Sequence, residues 1–505
     1  MGKKIANTAV IVLIINIISR GFALIANSMI TASFGVNEFT SAYSFSLTFT
    51  NIITTIIGTT LTTSVIPIYT DLRENYDIKR ANRFINNTLS LTVIVSLFLI
   101  FTVGFVAPYV ANISGDGDVK FSIFSLRILS FSILFICMFY VFSGLLQAND
   151  KFYLVAVVSL PSSIVSIMYI TILSHKFGIY GLVFATVFGF FLQAAILVPA
   201  LKSTNFRFSL SFNYRNEDMY KIFKVVAPVI VGVCAYQINM LTNNGIAFSY
   251  DPEKYIVLNN AQNLGIQIIM TIVLAIASVI YPKLSLYAAK NDDCGYKNSL
   301  TTTMNGMMII LIPIAFAYYI FADEIMDIIY GYGKFTDEYI KLGGSVFALY
   351  AFAIPGIGFK EITDRAFYAV KVTNKSAYNG VLIMAINIIL SFIFVKRWGL
   401  SGIAMAYSIA SLIGGIFILV WFKISVGNIS LKSIGITIIK SFVSCVVMAI
   451  IVYYIKNMNF GDGKINLIIK LVVSGVVGMI VYFSMLFIMR TEELTKILRR
   501  EKNDY

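Results

Sequence analysis

Charge is what this chain has least of. Only 13% of its 505 residues are charged and 58% are hydrophobic, whereas soluble domains carry roughly 25% charged residues. That deficit excludes a soluble globular protein and leaves a polytopic membrane protein made of spanning helices. Histidine is almost missing, since His175 stands alone in a loop. Cys137, Cys234, Cys294 and Cys445 show no paired spacing, and three of them sit in apolar runs as small core residues. A zinc, haem or iron–sulfur site therefore lacks ligands, and no cofactor is expected. No Walker motif is present, which excludes an ATP-driven pump acting by itself. No connection is long enough for a soluble domain, and no large loop carries the paired acids of a lipid-linked sugar transferase. An enzyme is not expected.

What is present is hydrophobic length. Runs of about 20 apolar residues mark about fourteen spans. The first six lie at roughly 6–34, 40–68, 84–112, 121–147, 152–174 and 178–201. Six more lie at roughly 220–248, 256–284, 299–322, 339–369, 376–395 and 400–423, and two at 432–455 and 465–489. The first run is too long for a signal-peptide core and lacks a small-residue cleavage site, so it is expected to stay as a helix. The fold class is therefore all-α and polytopic, with two parallel six-helix lobes around a central cavity plus two C-terminal helices. In residues, 1–202 form the N-terminal lobe, 203–425 the C-terminal lobe and 426–491 the additional pair. Residues 492–505 form a basic cytoplasmic tail, expected at the membrane surface.

The net charge of +14 is scattered singly along short connections, which points to membrane topology rather than nucleic-acid binding. With a cytoplasmic N-terminus, that side holds roughly two dozen lysines and arginines against about nine opposite. Both termini are thus expected in the cytoplasm.

An internal repeat supports the two lobes. Phe177-Gly178-Ile179-Tyr180-Gly181 returns as Trp398-Gly399-Leu400-Ser401-Gly402, and Ser64-Val65-Ile66-Pro67 as Ser278-Val279-Ile280-Tyr281-Pro282. The offset of roughly 215–221 residues equals six spans, which preserves orientation and makes the repeats parallel.

Arg20 is the most informative residue. It lies roughly 20 Å along the first span, deep in a hydrocarbon layer about 30 Å thick, where arginine costs at least about 2.5 kcal/mol. Asn16, Asn27 and Thr31 share its helix face. Arg127 sits about two turns inside the fourth span, where binding and snorkelling both fit. Lys360, Glu361, Asp364 and Arg365 cluster in the tenth span. Spacing allows Lys360 with Asp364 and Glu361 with Arg365 to pair along one helix, so self-neutralised packing competes with a substrate or gating role. Lys440 and Lys470 read as snorkelling near span ends. Asn239, Asn243, Asn244, Gln262 and Asn263 add uncharged polarity to the second lobe, as ion ligands or as helix bridges. Arg20 and Arg127 have no intrahelical acid, so the surplus charge suits an anionic substrate, and guanidinium suits phosphate.

These residues resemble the MurJ/MviN family of the multidrug/oligosaccharidyl-lipid/polysaccharide exporter superfamily over nearly the whole chain. The carriers are Ser19-Arg20-Gly21-Phe22, Tyr332-Gly333-Lys334-Phe335-Thr336 and Arg365-Ala366-Phe367-Tyr368-Ala369, continuing to Lys375. The resemblance implies a flippase moving undecaprenyl-pyrophosphate-linked peptidoglycan precursor (lipid II) across the bacterial cytoplasmic membrane by alternating access. It implies a groove for the polyprenyl tail on the last two helices and places Arg20 on the pyrophosphate or sugar head. The expected substrate-binding set is Arg20, Arg127, Lys360, Arg365, Asn16 and Asn27. Coupling to membrane potential or a monovalent cation, and contact with cell-wall synthesis proteins, are expected alongside. The chain departs from the family pattern at Ala26 and Asn27, around Ile53–Thr55 and at Asn263, where cationic or acidic residues are usual. A Wzx-type flippase for another lipid-linked oligosaccharide stays open as the alternative, with a cation-coupled multidrug exporter behind it.

Overall fold

Serine, threonine and asparagine decide how these apolar helices begin and how their hydroxyls are satisfied. The structure, a computed structural model, describes residues 2–112, 117–149, 151–157, 160–204, 206–209, 217–427, 429–458, 460–461 and 463–491. The basic tail 492–505 lies outside the described residues. Among them are helices and no strand. The helices are α1 (Gly2–Phe34), α2 (Glu38–Asn75), α3 (Ile78–Ala111), α4 (Val119–Gln147), α5 (Tyr153–Thr204), α6 (Glu217–Tyr250) and α7 (Tyr255–Ala289). Then follow α8 (Asp293–Ile320), the short α9 (Ala322–Tyr330), α10 (Asp337–Ala351), α11 (Ala353–Ala369), α12 (Thr373–Ser425), α13 (Leu431–Lys456) and α14 (Lys464–Ile488). The Asn37 side chain accepts the Thr40 N–H at the start of α2, and Asp292 accepts the Gly295 N–H at the start of α8. Each cap satisfies one of the amides a helix start leaves open. Along α2 the hydroxyls of Thr50, Thr60 and Ser64 donate to the carbonyls of Ser46, Ile56 and Thr60. That back-bonding explains how a threonine-rich span tolerates a hydrocarbon setting.

Ten of these helices are long and apolar enough to cross a membrane, and α10 with α11 make one more span bent by 41°. The 52-residue α5 and the 53-residue α12 are each broken by a glycine into two helical stretches. Their breaks fall at the repeat. Gly178 has φ 54° and ψ −150°, and Gly399 has φ 58° and ψ −142°. A side chain rarely adopts this backbone, so glycine marks the point where one stretch ends and the next begins. The expected polytopic, repeated architecture is therefore present in the fold.

Contacts divide the chain into two units. The first comprises Met1–Ile256 with Tyr332–Thr336. Its core packs Val65, Tyr69 and Leu72 of α2 against Phe84 of α3, Leu145 and Leu146 of α4, and Leu201 of α5. The seventh span, α6, belongs to this unit: Phe248 stacks on Phe45 at 4.4 Å between centroids, and Tyr255 meets both rings edge-on. Such ring pairs contribute about 0.5–1.5 kcal/mol each beyond burial. The Lys334 N–H donates to the Ala32 carbonyl at 2.9 Å, so the Tyr332–Thr336 motif is docked on the end of α1.

The second unit comprises Val257–Gly331 and Asp337–Tyr505. Its α11 and α12 meet backbone to backbone at Gly356 and Gly415. A Cβ on Gly415 would lie 2.7 Å from the Gly356 carbonyl oxygen and 2.9 Å from its Cα. Without a hydrophobic drive between helices in lipid, such close approach supplies the packing. Gly415→Leu should push these helices apart and cost about 3 kcal/mol, seen as a lower thermal midpoint of the detergent-purified protein. An unchanged midpoint would mean the contact is unimportant. On the α9 side, Lys456 donates to the Ile320 carbonyl at 2.6 Å and pairs with Glu324 at 3.0 Å, while Lys464 pairs with Asp327. These bonds tie α13 and α14 to α9.

Candidate functional site: a polar face on the first helix

On α1, two accessible surfaces point in nearly opposite directions. Ile14, Ile18, Phe22 and Ile25 are exposed on one side. Asn16 and Arg20 are exposed on the other, with Asn27 half-buried along the same line. At 100° per residue the two sectors are centred roughly 160° apart, with the exposed Ile17 on the arc between them. In a bilayer an isoleucine face meets lipid, so the asparagine and arginine face is the one suited to water. Thr31, the last residue of that line, is buried and returns its hydroxyl to the carbonyls of Asn27 and Ser28. Arg20 makes no hydrogen bond or ion pair among the described residues. Its guanidinium keeps five donors for a ligand.

The neighbouring α2 carries a second, uncharged stripe. Asn51 is exposed and Thr55 and Thr59 are half-buried, their hydroxyls donating to the carbonyls of Asn51 and Thr55 at 2.7 and 2.6 Å. Thr54, where the resemblance asks for positive charge nearby, is 2% exposed. Arg127 is elsewhere. It is exposed on α4 and its Nε donates to the Gly104 carbonyl of α3 at 3.2 Å. The structure thus gathers Asn16, Arg20 and Asn27 on one face and places Arg127 against a different helix.

In the second unit the charged quartet of α11 forms one of the two pairs that four-residue spacing allows, Lys360 with Asp364. Lys360 binds both acids, Glu361 at 2.9 Å and Asp364 at 2.8 Å. Asp364 also accepts the Ser376 hydroxyl from α12, and Tyr368 lies 3.2 Å from the same oxygen. Glu361 and Arg365, the other pair allowed by spacing, make no ion pair among the described residues, and Glu361 bonds Lys360 instead. Arg365 instead sits over the Tyr368 ring at 5.9 Å, with its Nε buried and without an acceptor. Lys360 is committed to acids, while Arg365 retains unused donors. Sequence reasoning missed Ser376, whose role depends on how α12 folds back. It also missed Asn379, fully buried with both amide atoms unpartnered, although an asparagine inside an apolar run was a visible signal. Asn239, Asn243 and Asn244 are all buried on α6, where the Tyr255 hydroxyl donates to Asn244. Asn263 donates to Asn259 within α7.

A helical, multi-pass chain with a glycine-broken repeat and an unpaired cation on a polar face has the makings of a membrane transporter. Comparison with solved structures agrees on the fold. The chain resembles the lipid II flippase MurJ in an inward closed conformation, with TM-score 0.80 and 20% identity, covering 96% of this chain and 100% of that one. It also resembles an inward-facing multidrug resistance MATE family transporter of the MOP superfamily, with TM-score 0.66 and 18% identity over 83% and 98% of the two chains. The sequence profile of lipid II flippase MurJ matches residues 30–474. The chain belongs to the MurJ family. Among its relatives, a probable lipid II flippase MurJ of Buchnera aphidicola subsp. Schizaphis graminum is 26% identical over 489 residues, covering 92% of this chain and 94% of that protein. A second, from Borreliella burgdorferi, is 21% identical over 509 residues, covering 99% and 100%.

Proposed function

We propose that this protein translocates lipid II, the undecaprenyl-pyrophosphate-linked peptidoglycan precursor, from the cytoplasmic to the outer leaflet by alternating access. The family match across residues 30–474 carries the reading. The unpaired Arg20 beside Asn16 and Asn27 supports it, since an accessible guanidinium with no internal acid favours a phosphate-bearing head group. Arg365 supplies a second set of unused donors. The protein is a transporter and not an enzyme, resident in the bacterial cytoplasmic membrane with both termini inside, as the lysine and arginine bias asks. Transport is coupled to the membrane potential or a monovalent cation, and cell-wall synthesis proteins are its neighbours.

The departures around Ile53–Thr55 and at Asn263 leave fewer arginines than the family pattern, and those at Ala26 and Asn27 remove an arginine and an acid, which favours testing one further substrate, a different lipid-linked glycan. Expression in a strain depleted of its own lipid II flippase should restore growth and cell shape. Rescue of a polysaccharide-flippase mutant instead, with no rescue of the lipid II strain, would overturn the murein assignment.

A further inference from the structure

An apolar recess in the first unit lies away from the polar face of α1. It has a volume of about 560 Å³ and is walled by Leu89 and Val93 of α3, Met138 and Phe142 of α4, and Phe206 and Phe208 beyond α5. Lys202, at the end of α5, stands on its rim. The wall is built, not incidental. Asn86 is 2% exposed, and its amide donates to the Arg207 carbonyl at 3.0 Å while its Oδ1 accepts the Ser209 N–H at 3.1 Å. Lys151 holds the preceding turn through the Ser203 carbonyl at 3.1 Å. These bonds fix the segment that carries Phe206 and Phe208 across the end of α3. Lys202 and the neighbouring Arg207 are exposed and make no side-chain hydrogen bond or ion pair among the described residues.

Depth identifies the occupant. On the apolar spans read from the sequence, the hydrocarbon layer begins near residue 84 on α3 and ends near residue 201 on α5, which puts Val93 roughly 15 Å inside it at 1.5 Å per residue. That is the thickness of one leaflet's hydrocarbon, half of about 30 Å. An apolar cavity of this kind does not hold water, and one opening into a bilayer fills with hydrocarbon. Lys202 stands on the rim just past the last apolar residues of α5, and Arg207 follows on the same segment, a setting in which basic residues attract the phosphates of anionic lipid. We propose that this recess is a binding site for one anionic phospholipid of the cytoplasmic leaflet. An acyl chain lies against Val93 and Phe142, and the phosphate lies between Lys202 and Arg207. The site belongs to the first unit alone and is independent of the transported substrate.

The test is native mass spectrometry of the full-length protein, stripped of lipid and titrated with dioleoyl phosphatidylglycerol or dioleoyl phosphatidylcholine. One phosphatidylglycerol should bind at least tenfold more tightly than phosphatidylcholine. The double variant Lys202→Glu/Arg207→Glu should erase that preference; both positions are exposed, so the core is untouched. Val93→Phe should fill the recess and remove the tight site for either lipid. Equal binding of the two lipids, or a preference that survives the double charge reversal, would overturn the assignment. So would displacement of phosphatidylglycerol by undecaprenyl phosphate at stoichiometric concentration.

Discussion

Replacing Arg20 by alanine is expected to abolish flipping while leaving membrane insertion and yield unchanged. The guanidinium is accessible and has no partner among the described residues, so its removal breaks no internal bond. What is lost is contact with the head group. Charge-assisted hydrogen bonds contribute about 1.5–3 kcal/mol each, so losing a two-bonded phosphate contact costs at least about 3 kcal/mol, or roughly a hundredfold in affinity. Arg20→Lys keeps the charge but not the planar fork and should fall between, at about a tenfold loss. The measurement is translocation of a fluorescent lipid II analogue in proteoliposomes, with membrane-fraction yield as the control for folding. Full transport by Arg20→Ala would remove this residue from substrate recognition.

The second large effect is expected on stability. Lys360 is the one cation bonded to both Glu361 and Asp364, whose side chains are only 14% and 6% exposed. Lys360→Ala leaves two carboxylates side by side with little solvent. Breaking a buried ion pair by removing one partner costs about 3–5 kcal/mol, a large part of a protein's net stability. The detergent-solubilised variant should show a sharply lower thermal midpoint or fail to accumulate. The combined variant Lys360→Met/Glu361→Gln/Asp364→Asn removes every charge of the network and should recover most of that loss. Its transport then separates two roles. Normal flipping in the stable triple variant assigns the network to architecture alone; a folded but inactive one assigns it to the transport cycle. Recovery of neither stability nor yield would show that the charges themselves hold α11 to α12.

The fold was legible because membrane helices are written in local composition. A run of about twenty apolar residues spans whatever its neighbours are, so the polytopic helical class and most of the helices could be placed from the chain alone. The repeat was legible for a related reason. Gly178 and Gly399 occupy a backbone region that other residues avoid, so the same letter had to return at the same turn. The polar face of Arg20, Asn16 and Asn27 followed from helical periodicity, which is again local.

Pairing was legible only in part: spacing gave Lys360 with Asp364, which forms. Spacing permitted Glu361 with Arg365, yet the observed partner of Glu361 is its neighbour Lys360. Ser376 also reaches Asp364 from the following helix, a contact that local spacing does not show. Nor does local pattern say that α6 packs with the first unit through Phe45 and Phe248, or that Asn86 closes a recess with residues 206–209 more than a hundred positions away. The sequence by itself determined the class, the helices, the repeat and an arginine with no acid on its own helix, since each depends on residues within a turn or two of one another. Tertiary structure decided which charges are spent on each other, which remain free for a ligand, and where the surface opens. Those outcomes depend on distances between helices, and two side chains far apart in the chain compete for a partner only once the fold has brought them together.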